Sequence, residues 1–142
     1  MEMLQRATTQ DIDFCFNLRN HPTVFPLCGR PRQLTKEEYL KTLSLKTHLF
    51  VIMVGEYKAG YIRFDPEIKE AYGIGIALLP EHRGHGIGQC AIRLGMKKMK
   101  HITTIFLATV RKNNEVSNKL FLKCGFQLVA DDDNFNYYGH RG

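Results

Sequence analysis

One segment constrains this chain more than any other: Leu78-Leu79-Pro80-Glu81-His82-Arg83-Gly84-His85-Gly86-Ile87-Gly88. The apolar residues 74–79 read as a strand that runs into a Pro turn. A basic loop with three glycines follows, and a helix opens at about Ile87. Such a junction offers a row of main-chain N–H groups at the positive end of a helix dipole, which suits phosphate or pyrophosphate. Gly84, Gly86 and Gly88 have no Cβ, so an anion can approach the backbone closely. Taken alone, the glycines leave an ordinary loop and a dinucleotide fingerprint open as readings. The fingerprint needs a third glycine where Gln89 stands. It also needs an acidic residue about 20 residues on, where Leu107-Ala108-Thr109-Val110 has none. No G-x-x-x-x-G-K-[ST] loop occurs, which argues against a P-loop nucleotidase.

The flanking pattern supplies the rest of the architecture. Residues 3–8 read as a first strand, and Thr8 or Thr9 caps a helix to about Arg19, broken by Asn20-His21-Pro22. Residues 22–34 carry three prolines, a glycine and two arginines, and predict an irregular loop. Thr35-x-x-Glu38 is a capping box opening a second helix to about Leu45. Residues 48–54 are a strand, Gly55-Glu56-Tyr57-Lys58 a hairpin turn, and residues 58–65 its partner. Residues 71–79 form a central strand with Ala71, Gly73, Gly75 and Ala77 on one face, a row of small residues over which a helix or a ligand could lie close. A helix over 87–100, a strand over 102–110, a helix over 114–124 stopped by Gly125, and strands over 126–129 and 135–139 complete the chain. The order β-α-α-β-β-β-α-β-α-β-β predicts an α/β fold, one mixed sheet flanked by helices, in a single domain over residues 1–142.

Composition narrows the class. At 142 residues, 44% hydrophobic and 24% charged, the chain is an ordinary globular domain with enough residues for a core. Its longest apolar run, residues 49–54, is too short to span a bilayer, and Glu2, Arg6, Asp11 and Asp13 do not fit a signal peptide. Cys15, Cys28, Cys90 and Cys124 show no C-x-x-C or zinc-ligand spacing, so no metal is expected, and they read as reduced thiols of a cytoplasmic protein. A net charge of +6 points to anionic partners. The basic residues are scattered without interleaved aromatics, which places nucleic acid last among them.

Arg83-Gly84-His85-Gly86-Ile87-Gly88, behind Pro80-Glu81-His82, resembles the [QR]-x-x-G-x-[GA] phosphate-binding motif of the GNAT superfamily of acyl-CoA-dependent N-acetyltransferases. About 30 residues on, Asn113-Asn114-x-x-Ser117-x-x-Leu120-Phe121-x-Lys123-Cys124-Gly125-Phe126 is similar to that family's Asn-x-x-Ser/Ala…Leu-Tyr-x-x-x-Gly-Phe segment. The resemblance implies a mixed, mostly antiparallel sheet with a splayed central strand. Acetyl-CoA would be its cofactor, with the pantetheine arm on main-chain groups of Ile76, Ala77 and Leu78. Arg83, Gly84, His85, Gly86, Ile87, Gly88 and Gln89 would hold the phosphates, and Asn114, Ser117 and Phe121 would contact the arm. Capping of the fourth helix also explains Asn114.

Acyl transfer to an amine needs a neutral amine, a polarised carbonyl and a stabilised or protonated thiolate. The family's proton-donating Tyr is replaced by Phe121, which cannot donate; Tyr137 and Tyr138 are the nearby candidates, and Tyr138 is taken here. The family's central-strand Glu falls at Gly73, and Glu70 ranks ahead of Tyr72, His82 and His85 as a substitute base. Leu18-Arg19-Asn20-His21-Pro22 resembles the Trp-Arg-Asn-His-Pro of the branch that acetylates nucleotide-linked amino sugars, of the pseudaminic acid biosynthesis type. The acceptor implied is a small-molecule amine of that kind, bound by Arg19, Asn20, His21, Arg30 and Arg63. The alternatives are a ribosomal-protein-type N-terminal acetyltransferase and a non-catalytic acyl-CoA-binding module. The sequence leaves the oligomeric state open, a homodimer included.

Overall fold

A computed structural model describes residues 2–142. The strands are β1 (Leu4–Arg6), β2 (His48–Val54), β3 (Tyr57–Pro66), β4 (Tyr72–Leu78), β5 (Ile105–Arg111), β6 (Gln127–Asp131) and β7 (Phe135–Arg141). The helices are α1 (Ile12–Arg19), α2 (Lys36–Lys41), α3 (Ile87–Lys98) and α4 (Glu115–Lys123). All seven strands form one sheet in the order β1-β2-β3-β4-β5-β7-β6, antiparallel throughout except for β4 beside β5. The mixed, mostly antiparallel α/β sheet expected from the sequence is the observed one. No helix among the described residues is long and apolar enough to cross a membrane.

Local chemistry explains where the elements stop. The Thr8 hydroxyl and the Asp11 carboxylate form a capping box, but the first turn winds as a 3-10 helix over Thr9–Asp11 before α1 begins. The Thr35–Glu38 box opens α2 as its spacing predicts. That helix ends at Lys41 rather than near residue 45, because Ser44 and Thr47 bond each other and close a separate turn. β5 starts at Ile105 rather than Ile102, since the N–H groups of Ile102 and Thr103 are drawn back to the Met99 carbonyl at the end of α3. The hairpin turn is shorter than expected, with β3 resuming at Tyr57.

The sheet separates two cores. On one face α3 and α4 cover Phe50, Ile62, Phe64, Ile92, Phe106 and Phe121. On the other, α1 and α2 cover Cys15, Leu18, Tyr39, Val51, Tyr61 and Ala77. The row of small residues on β4 belongs to this second face; Gly75 and Ala77 line a cavity there, and no helix lies directly on Gly73 or Gly75. Side chains from β3 and the turn after it fill the space: a Cβ on Gly75 would lie 3.2 Å from Arg63 Cγ, and one on Gly73 would lie 2.9 Å from Glu67 Oε1.

The tightest helix-to-sheet approach is at Gly95 of α3, where a Cβ would stand 2.6 Å from Phe64 Cζ. Phe64 has no room to yield, being fully buried between the rings of Phe50 and Phe106. Gly95→Ala should therefore cost about 1–3 kcal/mol of stability through overpacking, despite alanine's better helix propensity. Urea unfolding of the two proteins measures the difference, and a more stable variant would contradict the packing.

Candidate active site

The site begins where β4 leaves β5. β4 pairs with β3 along its whole length, but with β5 only at Tyr72↔Phe106 and Gly73↔Leu107. Beyond Gly73 the strands part, since β5 is committed to β7 from Ile105 to Arg111. The opening is a cavity of about 410 Å³. Leu79 donates its N–H to Ala59 on β3. By the two-residue alternation of a strand, the main-chain groups of Ile76 and Leu78 then point into the opening. The Leu78 carbonyl is already taken by the Arg83 guanidinium, at 3.0 Å from Nε and 2.9 Å from Nη2. The N–H and C=O of Ile76 and the N–H of Leu78 remain for an extended ligand laid along the strand.

At the far end of β4 lies the glycine loop. Gly84 and Gly86 adopt φ of +80° and +77°, a region that side-chain-bearing residues avoid. A Cβ at either would meet nothing within 4 Å, so this side of the loop is open. Among the described residues, no acceptor meets the main-chain N–H of residues 84–89. Gly86 caps α3 with no side-chain bond, and the helix N-terminus stays available to an anion. Gly88 serves packing instead: its Cβ position is 3.1 Å from Leu120 Cδ2, so α3 and α4 meet closely beside the loop. Asn114 caps α4 by accepting from the Ser117 N–H at 3.2 Å, and Asn114, Ser117, Leu120 and Phe121 all line the cavity.

Residues 20–35 roof the cavity as a strap. Its base is closed by Asn20, whose amide donates to the Leu34 carbonyl at 2.8 Å and accepts the Leu34 N–H at 2.9 Å. Arg19 donates to the carbonyls of Arg30 and Arg32, at 2.9 and 3.1 Å. Arg32 forks onto Glu38. From across the opening, Arg111 at the end of β5 donates to the carbonyls of Cys28 and Gly29, at 2.9 and 3.1 Å, with its guanidinium over the Phe135 ring. The strap is therefore tied to α1 on one side of the gap and to β5 on the other.

Ile76, Leu78, Arg83, Gly88 and the α4 cap thus line one gap, while Gly84, His85, Gly86, Ile87 and Gln89 lie outside its lining, on the open loop that follows Arg83. Residues 12–126 match the acetyltransferase (GNAT) family. The chain belongs to that family. It is an acetyl-CoA-dependent N-acetyltransferase by family. Its fold is similar to that of a domain from Methanocaldococcus jannaschii, with a TM-score of 0.87 and 21% identity over 98% of this chain and 97% of that one. It is likewise similar to the spermidine N-acetyltransferase of Vibrio cholerae, solved with CoA and spermine (TM-score 0.80, 17% identity, 97% and 94% covered). A third similar structure is the Salmonella typhimurium acetyltransferase that modifies the N-terminal serine of ribosomal protein L7/L12 (TM-score 0.80, 19% identity, 98% and 94% covered). No curated protein sequence gives a significant match.

The acetyltransferase chamber gathers some of the residues expected from sequence and leaves others outside. Arg19, Arg63 and Arg83 line it. Arg63 is engaged by Asp65, at 2.7 and 2.9 Å, and by Thr42, so a substrate diphosphate would compete with those bonds. Asn20 and His21 do not line the chamber; they shape the strap, His21 Nδ1 accepting the Thr23 N–H. Arg30 is exposed and pairs with Glu38 at 3.7 Å. Glu70 is not brought to the chamber: it sits on an exposed turn with φ of +67°, its carbonyl bonded by the Thr103 hydroxyl. Tyr138 lies behind Phe121, its ring nearly parallel at 6.4 Å, and its hydroxyl donates to Asn118 Oδ1 at 2.6 Å. Tyr137 donates to Asp132.

Two lining residues and a neighbouring carboxylate were not legible from the sequence pattern. Tyr61 of β3 and Cys28 of the strap line the chamber, and burial pushes both their pKa values up, so each keeps its proton at neutral pH. Outside the chamber, Glu67 places a carboxylate over Gly73.

Two outcomes check this geometry. Gly86→Ala forces a Cβ into left-handed backbone at a cost of about 1–2 kcal/mol, and should weaken coenzyme A binding about ten-fold by calorimetry. The Arg32 fork and the Thr35 N–H hold the Glu38 carboxyl at about 2. A depressed carboxylate contributes fully above its ordinary value near 4.3 and loses that contribution as pH falls through the folded value. Glu38 should thus titrate near pH 2 by carboxyl NMR, and a midpoint near 4 would show the fork unmade in solution.

Proposed function

We propose that this acetyltransferase moves the acetyl group of acetyl-CoA to the primary amine of a nucleotide-linked amino sugar. One observation carries the choice of acceptor: the segment resembling the amino-sugar branch, Leu18-Arg19-Asn20-His21-Pro22, builds the base of the strap. The strap roofs the chamber and is latched to β5, which favours a compact acceptor over a peptide threaded through an open groove. In this reading the pantetheine arm extends β4 as an added strand on Ile76 and Leu78, and the pyrophosphate rests on the N–H groups of residues 84–89. Asn114 and Ser117 flank the arm, and Phe121 packs against it.

The neutral amine attacks the thioester carbonyl carbon, the C–S bond breaks, and the proton lost by nitrogen ends on the coenzyme A sulfur. Holding both reactants in one chamber supplies much of the acceleration, and main-chain N–H groups of β4 polarise the carbonyl. Glu70 and Tyr138 lie outside the chamber, so solvent carries that proton. The four cysteines are free thiols, which supports a reducing, cytoplasmic setting.

The test is release of coenzyme A thiol from acetyl-CoA, with a UDP-linked 4-amino sugar and a basic N-terminal peptide offered in parallel. Turnover with the sugar alone is expected. Turnover with the peptide alone would replace the acceptor by a protein N-terminus. Tight acetyl-CoA binding without turnover on a broad amine panel would leave a binding module and sink the catalytic reading.

A further inference from the structure

Arg19 is 9% exposed, yet it forms no ion pair among the described residues. Its two bonds go to neutral carbonyls, those of Arg30 and Arg32. A guanidinium carries five N–H donors, so three stay unused on a side chain that lines the chamber. A buried charge without a counter-ion is unfavourable, and proteins bury charges paired. The neighbouring cations do not relieve it. Arg63 has its own carboxylate in Asp65, and Arg111 is likewise bonded only to carbonyls. Among the described residues, no Asp or Glu lines the chamber.

A second, independent observation falls at the same place. Tyr61 is 5% exposed, lines the same chamber, and its hydroxyl bonds to nothing among the described residues. Tyr61 pairs with Ala77 across β3 and β4, so its ring stands on the face covered by α1 and the strap, where Arg19 also lies. The Tyr61 oxygen is not sealed off in the core as the Tyr39 hydroxyl is, so with no protein partner it is available to a ligand atom in the chamber.

We infer that Arg19 and Tyr61 form an anion subsite beneath the strap, which binds a carboxylate or phosphate carried by the acceptor close to its reacting amine. The anion completes the charge balance of Arg19 and accepts the Tyr61 hydroxyl proton in a hydrogen bond. Polyamines, which bring only positive charge, are disfavoured in the same chamber. This rests on the acetyltransferase reading above and adds the charge class of the acceptor to it.

The experiment uses the protein saturated with coenzyme A, so that the N–H row of residues 84–89 is filled. Binding of two matched pairs is measured by calorimetry: glucosamine 6-phosphate against glucosamine, and glycine against glycinamide. At least ten-fold tighter binding of the anionic member of one pair is expected, and which pair responds tells phosphate from carboxylate. Arg19→Gln should abolish that preference. Tyr61→Phe should reduce it several-fold, and this variant leaves every hydrogen bond of the strap in place should Arg19→Gln fail to fold. Equal affinity within both pairs, or a preference that survives Arg19→Gln in a folded protein, would overturn the subsite while coenzyme A still binds. Failure to bind coenzyme A at all would overturn the acetyltransferase reading and the subsite with it.

Discussion

Everything in this molecule depends on β4 and β5 pairing for two residues and then separating. Parallel neighbours in a sheet normally satisfy each other's main-chain groups along their length. Here that exchange stops after Gly73, and the backbone of Ile76 and Leu78 is left facing a gap. The separation is stable because each strand is fully committed on its other side, β4 to β3 and β5 to β7. The gap is therefore a rigid feature of the sheet. It leaves inside the sheet a stretch of unsatisfied backbone of the kind that extended ligands pair with elsewhere.

The arginines around that gap divide their labour. Arg19, Arg32, Arg83 and Arg111 all bond to main-chain carbonyls, and only Arg32 of these also has a carboxylate. They hold turns and strap by geometry while leaving most of their charge uncancelled. The planar fork suits this double use, because two donors can fix a loop while the others stay free. A lysine at the same places would supply the charge without the shape.

The sequence disclosed the local parts of this design and missed the long-range ones. The glycine loop, the Thr8 cap, the Thr35–Glu38 capping box and the Asn114 cap are each written within a few residues, and the structure has them where those residues stand. The element order was legible for the same reason, since strand and helix periods are local. The row of small residues on β4 was open to two readings, close helix packing or a ligand lying close, and two of its members, Gly75 and Ala77, line the cavity. Arg63 and Glu67 lie over Gly75 and Gly73, which only the β3–β4 register reveals. Arg19, Asn20 and His21 were readable as a motif, yet what they hold is set by the path of residues 22–34, which periodicity does not encode. Nothing in the local pattern of residues 58–65 sets Tyr61 apart. Its distinction, a hydroxyl with no partner, exists only once α1 and the strap have packed over β3.

Arg111 joins its strap partners across 83 and 82 residues of chain. Contacts of that separation carry the full loop-closure entropy and form late in folding. On a ribosome the first residues of the strap emerge long before β5, and β5 itself needs β7, the last strand, along its outer edge. The roof of the chamber is thus fastened only after β7 has been made. A copy stopped before β5 keeps the glycine loop's local sequence but has no roofed chamber beside it.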